Sequence, residues 1–551
     1  MTNTFKTALI GACALPILAA CGGGGSSTPP PVIAPPPPPP TTSTPPTWTQ
    51  GQFAASSTFQ DQCQVVRTGT DIRGNRFPDQ AGSTAREMFW QRSWSNETYL
   101  WYNEITDRNP NTFTDKIAYF DELRTTARTP SGKLKDEFHG TADTAEYLER
   151  TVGGSTSGYG LDLIFFSAAP PRDIRVAFTE SNSPADRAGI ERGAKIISVD
   201  GFDVENSDNV AALNDGLFPR TAGEEHVLGV EFVDGTRQNI TVTSADVDIV
   251  PVNEVETVTV DGRKYGYVHF TTFSPDVAEV GLFNAFEQLQ NADIDDLVLD
   301  LRYNGGGQLA IAGQLGYMVG GSNTAGADFY ELQFNDKANG RNPVTGNPLS
   351  PTPFYDRGIG RTVPTSRSAP TVDKARVFVL TTDDTCSASE AVINGLRGVD
   401  VEVIQIGGRT CGKPFGFYPT DNCGTTYFTI QFQGVNDKGF GDYADGFAPG
   451  EAVGSVGAPV PGCDVSDDLT RALGDPAERM FSTAISYAAT GECPSQTAIA
   501  KNDNDDAPLS AEIRLSDPAL DLRSDPRIAL RELMDNRVIM PEELGASELA
   551  E

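Results

Sequence analysis

The spacing of apolar residues changes character twice along the chain. From Phe59 to about Arg150 it is helical: "EMFWQRSWSNETYLWYNEI" sets Phe89, Trp90, Trp94, Leu100 and Trp101 along one broad face, and "IAYFDELRTT" continues it. An aromatic stripe of this kind predicts a packed core face. From about Tyr159 to Val250 short strand-like runs follow one another: "YGLDLIFF", "IRVAFT", "KIISVDG", "HVLGVEFVDG" and "QNITVTS". Further on, unbroken apolar runs alternate with helical stretches. "LVLDL", "RVFVLTT" and "VEVIQIGG" carry the continuous apolarity of strands buried on both faces, with "QLAIAGQLGYMV" and "SASEAVINGL" as helices between them. Strand, helix, strand, helix, strand implies a parallel sheet. The stretch from about Gly320 to Thr371 is rich in Gly, Asn and Pro and predicts a loop-like insert. "DDLTRALGDPAERMFSTAISYA" predicts a closing helix, and the acidic chain after about Ser495 a flexible tail.

Composition narrows the function. The 551 residues give room for three or four domains, and a net charge of −33 excludes a nucleic-acid partner, which needs basic patches. Three histidines, His139, His226 and His269, are too few for a multi-His metal site, and no metal or cofactor is expected. The N-terminus carries Lys6, the apolar "TALIGACALPILAA", too short to span a bilayer, and then "LAAC" ending at Cys21. This resembles a bacterial lipoprotein lipobox, more so than the same reading at Cys13. The resemblance implies a lipidated Cys21 as mature N-terminus and, with Gly22 rather than Asp following it, the outer membrane. An ordinary signal peptide cut nearby is the alternative. "STPPPVIAPPPPPPTTSTPPTW" predicts a semi-rigid tether whose ~20 residues, at about 3.1 Å each, hold the body about 60 Å from the surface. Six further cysteines, Cys63, Cys386, Cys411, Cys423, Cys463 and Cys493, are an even number in an exported chain and suggest disulfides.

Candidate chemistry lies in three loops, each following the carboxyl end of a predicted parallel strand, where open α/β sheets place their sites. They are "RYNGGGQ" (Arg302 to Gln308), "DDTCSASE" (Asp383 to Glu390) and "GGRTCGKPFG" (Gly407 to Gly416). Each has a bland reading: a tight glycine turn, a helix cap at Ser387 completed by Glu390, and a surface charge at Lys413. Together they specify a serine hydrolase. Ser387 supplies the nucleophile, backbone N–H groups of the glycine loop and of Ala388 face the oxyanion, and Lys413 is the base if burial keeps its amine neutral.

Upstream, "SNSPADRAGIERGAKIISVDGFDV" resembles a PDZ domain, with "SGYGLDL" as its carboxylate-binding loop. That resemblance implies a substrate tail held at Tyr159, Gly160 and Leu161, with Leu163 also lining the pocket. "DLRYNGGG", "TCSASEAVINGL" and "GKPFG" with this segment before them resemble the carboxyl-terminal processing (tail-specific) serine peptidases, from about Phe59 to Pro494. The resemblance implies Ser387 as nucleophile, Lys413 as general base, and Gly306 and Ala388 as oxyanion donors. It further implies a multidomain α+β fold: a helical N-terminal region, a PDZ-like β domain and an α/β core of crotonase (ClpP-like) architecture. The corresponding division is 1–21 signal peptide, 22–58 tether, 59–152 helical region, 153–250 PDZ-like domain, 251–494 peptidase core and 495–551 acidic tail.

Two departures stand out. The family commonly has Gln four residues after the Lys, where this chain has Phe417. Some relatives use Ser-His-Glu instead, and His139 and Asp445 fall roughly at the places of their His and acid; His269, in "YGYVHF", reads as structural. Cys386 as a nucleophile is a weak third possibility. Disulfides Cys411–Cys423 and Cys463–Cys493 are expected, with Cys386–Cys411 as the alternative. The expected activity is endopeptidase action on peptide or protein substrates in the bacterial cell envelope. The alternative is a non-catalytic peptide-binding lipoprotein.

Overall fold

The alternation of continuous apolar runs with helices beyond residue 250 builds one mixed sheet. The computed structural model describes residues 44–450 and 456–495, together with Leu520 and Leu522. The signal segment with Cys21, most of the proline tether and the rest of the acidic tail lie outside the described residues.

The N-terminal region holds helices α1 (Thr84–Thr98), α2 (Lys116–Asp121) and α3 (Thr144–Gly153), joined by irregular chain. The helical pattern through Ile105 is broken after Thr98, where Tyr99 turns extended and the Leu100 N–H donates to the Ile430 carbonyl. Pairing with the core overrides local periodicity there. The aromatic face packs as expected, but partly on the core: Trp90, Trp94 and Phe120 surround Tyr427. Strand Gly140–Asp143 pairs antiparallel with Thr425–Phe428. A disulfide joins Cys63 to Cys423 across 360 residues, so the expected Cys411–Cys423 pair is not formed.

Next comes a small antiparallel sheet. Its strands are β1 (Leu161–Ser167), β2 (Asp173–Thr179), β3 (Lys195–Val199), β4 (Glu225–Glu231) and β5 (Arg237–Thr243), in the spatial order β5-β4-β3-β2-β1. Pro184 starts the short α4 (Pro184–Arg187), capped by Ser183. A further helix, α5 (Val210–Leu217), went unread in the sequence; Gly216 and the short span obscure its period. Among the described residues, strand β1 pairs with β2 alone and is the sheet edge.

The large sheet runs β6 (Val252–Val260), β7 (Arg263–Phe270), β8 (Asp296–Asp300), β9 (Arg376–Thr381), β10 (Glu402–Gly407) and β11 (Gly462–Cys463). β6 and β7 are antiparallel and every other neighbour pair is parallel. Helices α6 (Val277–Ala292), α7 (Leu309–Gly320) and α8 (Ala388–Gly398) cover one face through Leu282, Phe286, Leu315 and Ile393, and α9 (Arg479–Thr490) covers the other through Met480 and Phe481. The insert is not all loop: Asp328–Phe334 pairs with Phe432–Val435, a strand that "DFYELQF" spells in alternation. The expected Cys463–Cys493 bridge is formed and ties β11 to the chain after α9. The described residues from Thr44 on form one compact unit, and no described helix is long and apolar enough to cross a membrane.

Candidate active site

Because β8, β9 and β10 are parallel neighbours, the loops after them leave one edge of the sheet together. Ser387 sits between β9 and α8 and is not an ordinary cap. Ser83, Asp115 and Ser183, which cap α1, α2 and α4, have extended backbones and accept an N–H of the first turn. Ser387 has φ +54° and ψ −108°. A side chain at positive φ costs about 1–3 kcal/mol and persists where the surroundings over-determine it. Here they do. The Thr385 hydroxyl donates to the Leu301 carbonyl, the Cys386 N–H donates to the Asn304 carbonyl, and the Ser389 hydroxyl donates to the same carbonyl.

Glu390, expected only as the second half of a capping box, holds the second and third loops together. It is fully buried and accepts from the N–H groups of Ser387 (3.1 Å), Gly412 (2.8 Å) and Lys413 (2.7 Å) and from the Thr410 hydroxyl (2.5 Å). Ser387 and Lys413 thus share one carboxylate oxygen through their backbones. A disulfide between Cys386 and Cys411, the alternative pairing, joins the residue before Ser387 to the loop of Lys413. It also removes the Cys386 thiol as a nucleophile.

Lys413 is 1% exposed. Its Nζ lies 4.4 Å from the ring centre of Phe138 and 4.5 Å from that of Phe417. Burial drives its pKa well below the ordinary lysine value, opposed by the carboxylates of Asp136 and Glu390. Phe417, standing where a Gln was expected, offers a ring face. Asp136 is the nearby acidic group that the sequence did not flag. It is buried and accepts from the Tyr99 hydroxyl (2.8 Å) and the Phe138 N–H (3.1 Å).

The expected donors differ from one another. The Ala388 N–H, at the start of α8, has no hydrogen-bond partner among the described residues. The Gly306 N–H donates to Asn304 Oδ1 at 2.9 Å, so in this structure that donor is committed inside its own loop. Gly306 and Gly307 have φ of +113° and +134°, and a Cβ at Gly307 would lie 2.5 Å from the backbone of Phe273 and Ser274. The glycines are needed for this close approach. Asn304 is the unforeseen hub of the loop: its Nδ2 donates to the Phe270 carbonyl and its own carbonyl holds the Ser387 turn.

His139 and Asp445 make other contacts. His139 Nε2 donates to the Phe120 carbonyl (2.9 Å), Nδ1 accepts from Thr429 (3.2 Å), and the ring stacks on Phe120; burial lowers its pKa. Asp445 accepts from Thr129 and Ser131. His269 is fully buried against Phe178 and Tyr303, its pKa lowered to about 4 by burial. In the small sheet, Tyr159 donates to the Gly216 carbonyl. Gly160 (φ +75°) packs so tightly that a Cβ would fall 2.2 Å from Ser183 Cβ, and Leu161 is half-buried at the sheet edge.

A serine at a strained strand-to-helix turn, a glycine loop and a buried lysine thus gather on one parallel-sheet edge. Residues 264–418, which hold all three loops, match Peptidase family S41. Over 192 residues the chain is 30% identical to carboxyl-terminal-processing peptidase 3, chloroplastic, of Arabidopsis thaliana, covering 32% of this chain and 36% of that protein. It is 28% identical over 169 residues to the carboxy-terminal processing protease CtpB of Bacillus subtilis, 30% of this chain and 33% of the relative. The matched segments thus span about a third of these two relatives. A solved structure described as an S41 protease, from Bacteroides fragilis, shares the fold at 22% identity, covering 73% of this chain and 97% of its own with a TM-score of 0.54.

Proposed function

We propose that this protein is a serine endopeptidase of the cell envelope, with Ser387 as nucleophile and Lys413 as general base. The observation that carries the reading is the setting of Lys413: a lysine whose pKa burial lowers, its backbone held on the same carboxylate oxygen as that of Ser387. A neutral amine takes the Ser387 proton as the hydroxyl attacks a peptide carbonyl, and returns it to the leaving amine. The oxyanion is met by the Ala388 N–H. The Gly306 N–H joins it when the oxyanion, a stronger acceptor than an amide oxygen, draws it from Asn304. The engagement of both His139 nitrogens within the fold favours Lys413 over the Ser-His-Asp arrangement with Asp445. Ser387→Ala is expected to lower hydrolysis of a fluorogenic peptide by roughly 10⁴-fold or more, with an unchanged melting temperature. A serine-directed covalent probe should map to Ser387. Turnover retained by the purified variant would leave the alternative, a non-catalytic peptide-binding lipoprotein.

The β1–β5 domain is read as a PDZ domain that takes substrate tails. Its support is the edge of β1, unpaired among the described residues and beside the half-buried Leu161 and Leu163, where an extended peptide can add as a strand. Amidating the C-terminus of a peptide substrate should then lower kcat/KM. Anchoring through a lipidated Cys21 rests on the "LAAC" motif, and Cys21→Ser should release the protein from the membrane fraction.

A further inference from the structure

Two residues from far down the chain lie in the β1–β5 domain. Leu522 is fully buried and belongs to the same apolar cluster as Ile174, Val204 and Leu213. Its N–H donates to the carbonyl of Ala168, the residue just past β1, at 3.2 Å. Its own carbonyl lies 3.5 Å from Nδ2 of Asn214 on α5. The Leu520 carbonyl accepts from Nη2 of Arg172 at 2.7 Å. Arg172 is itself 1% exposed and also donates to the carbonyls of Ala168, Val204 and Ser207. A guanidinium buried among backbone carbonyls is a built part of the domain, and it turns one donor to the incoming chain.

The position is specific. Phe165 of β1 stacks on Phe218, the residue after α5, with ring centres 6.4 Å apart. On the reading above, a substrate tail adds along β1 from the Tyr159–Leu161 end. Leu522 occupies the opposite end, between Ala168 and Asn214.

We propose that the segment carrying Leu520 and Leu522 is an intramolecular ligand of this domain. The pocket beyond β1 is a binding site for an aliphatic side chain on a Leu-x-Leu segment, and a substrate tail reaching that far must displace the chain's own Leu522. The displacement step rests on the tail-recognition reading; the docking of Leu522 does not. A ligand tethered in the same chain competes at an effective concentration up to millimolar, so even weak docking suppresses weaker substrate tails.

The test uses the full chain in a Ser387→Ala background to prevent turnover. A fluorescent peptide with the sequence of residues 517–526, "DPALDLRSDP", is titrated by anisotropy against the chain with and without Leu522→Asp. Emptying the pocket should tighten binding by roughly tenfold or more. Equal affinity for both chains, or no binding to the Leu522→Asp chain, overturns the docking. Should that variant unfold, hydrogen exchange in the unaltered chain decides: the Leu522 amide should exchange more slowly than in the free peptide, and equal rates overturn the docking. A second peptide, with an apolar C-terminal residue and a free carboxylate, tests displacement. It should bind the Leu522→Asp chain roughly fivefold tighter or more, and unchanged affinity overturns displacement alone. Its failure to bind either chain removes tail recognition, and displacement with it, while the first peptide still decides the docking.

Discussion

Arg302 and Lys413 are cations on loops from one edge of one sheet, both almost fully buried, and they are treated in opposite ways. Arg302 donates to Asp300 through Nε (3.0 Å) and Nη2 (2.5 Å), to Asp467 (2.6 Å) and to Glu478 (3.2 Å). These carboxylates outweigh the cost of burial and hold its pKa well above the ordinary value. Lys413 has the rings of Phe138 and Phe417 against its amine, and burial prevails. Depth in the fold therefore does not decide ionisation; the balance of burial against the surrounding carboxylates does. One site keeps a permanent charge that braces the Gly-rich loop, and the other keeps an amine able to accept a proton.

The strongest way to break this contrast is to make the second cation like the first. Lys413→Arg retains charge and reach but cannot deprotonate near neutral pH. It should lower kcat/KM on a fluorogenic peptide by roughly 10²–10⁴-fold, the range general-base catalysis spans. A variant keeping more than a tenth of the activity would show that the amine is not the base.

Removing each charge should change stability with opposite sign. Arg302→Met strands Asp300, Asp467 and Glu478 without their cation and should cost about 3–5 kcal/mol in denaturant unfolding. Lys413→Met should instead raise stability. The unfolded lysine titrates at about 10.4 and the folded one well below it, so the unfolded chain binds more protons across that window. The penalty is absent above about pH 10.4 and complete once pH falls below the folded value. The gain in Lys413→Met should therefore shrink as pH rises toward 10. A gain independent of pH would mean repacking rather than charge.

Much of this site was readable before the structure. "LVLDL", "RVFVLTT" and "VEVIQIGG" are apolar on both faces, which only a covered parallel strand requires, and their order placed three loops on one edge. Ser387, Ala388 and Lys413 followed from that order. The supports of these residues did not. Asp136 lies far upstream in a stretch whose periodicity says nothing about Lys413. Asn304 was overlooked beside three glycines, and Glu390 looked complete as a cap. The Cys63–Cys423 bridge joins residues 360 apart, a pairing no local pattern encodes. Helix α1 ends early because Leu100 is drawn to Ile430, a tertiary contact stronger than the helical period around it.

The finest test of the contrast concerns Asp136, whose carboxylate favours the charged form of Lys413. Its oxygens are taken by the Tyr99 hydroxyl and the Phe138 N–H, and Phe138 is the ring beneath the amine. The other charged groups around Lys413 are Glu390, committed to backbone N–H groups, and Lys133, whose Nζ donates to the Cys411 carbonyl. His139, 3.9 Å from Asp136, stays neutral because burial lowers its pKa. Asp136 opposes burial by favouring the ammonium form. Asp136→Asn removes the charge and keeps one acceptor oxygen, enough for the Phe138 N–H, while its Nδ2 meets the Tyr99 hydroxyl oxygen instead, so the Lys413 pKa should fall further. Activity rises with pH as the amine loses its proton, and in Asp136→Asn that rise should move to lower pH, with the plateau rate changed by less than about tenfold. The pH profile of kcat/KM decides it. A limb that stays in place, or moves to higher pH, would show that Asp136 only positions Phe138 and leaves the base untouched.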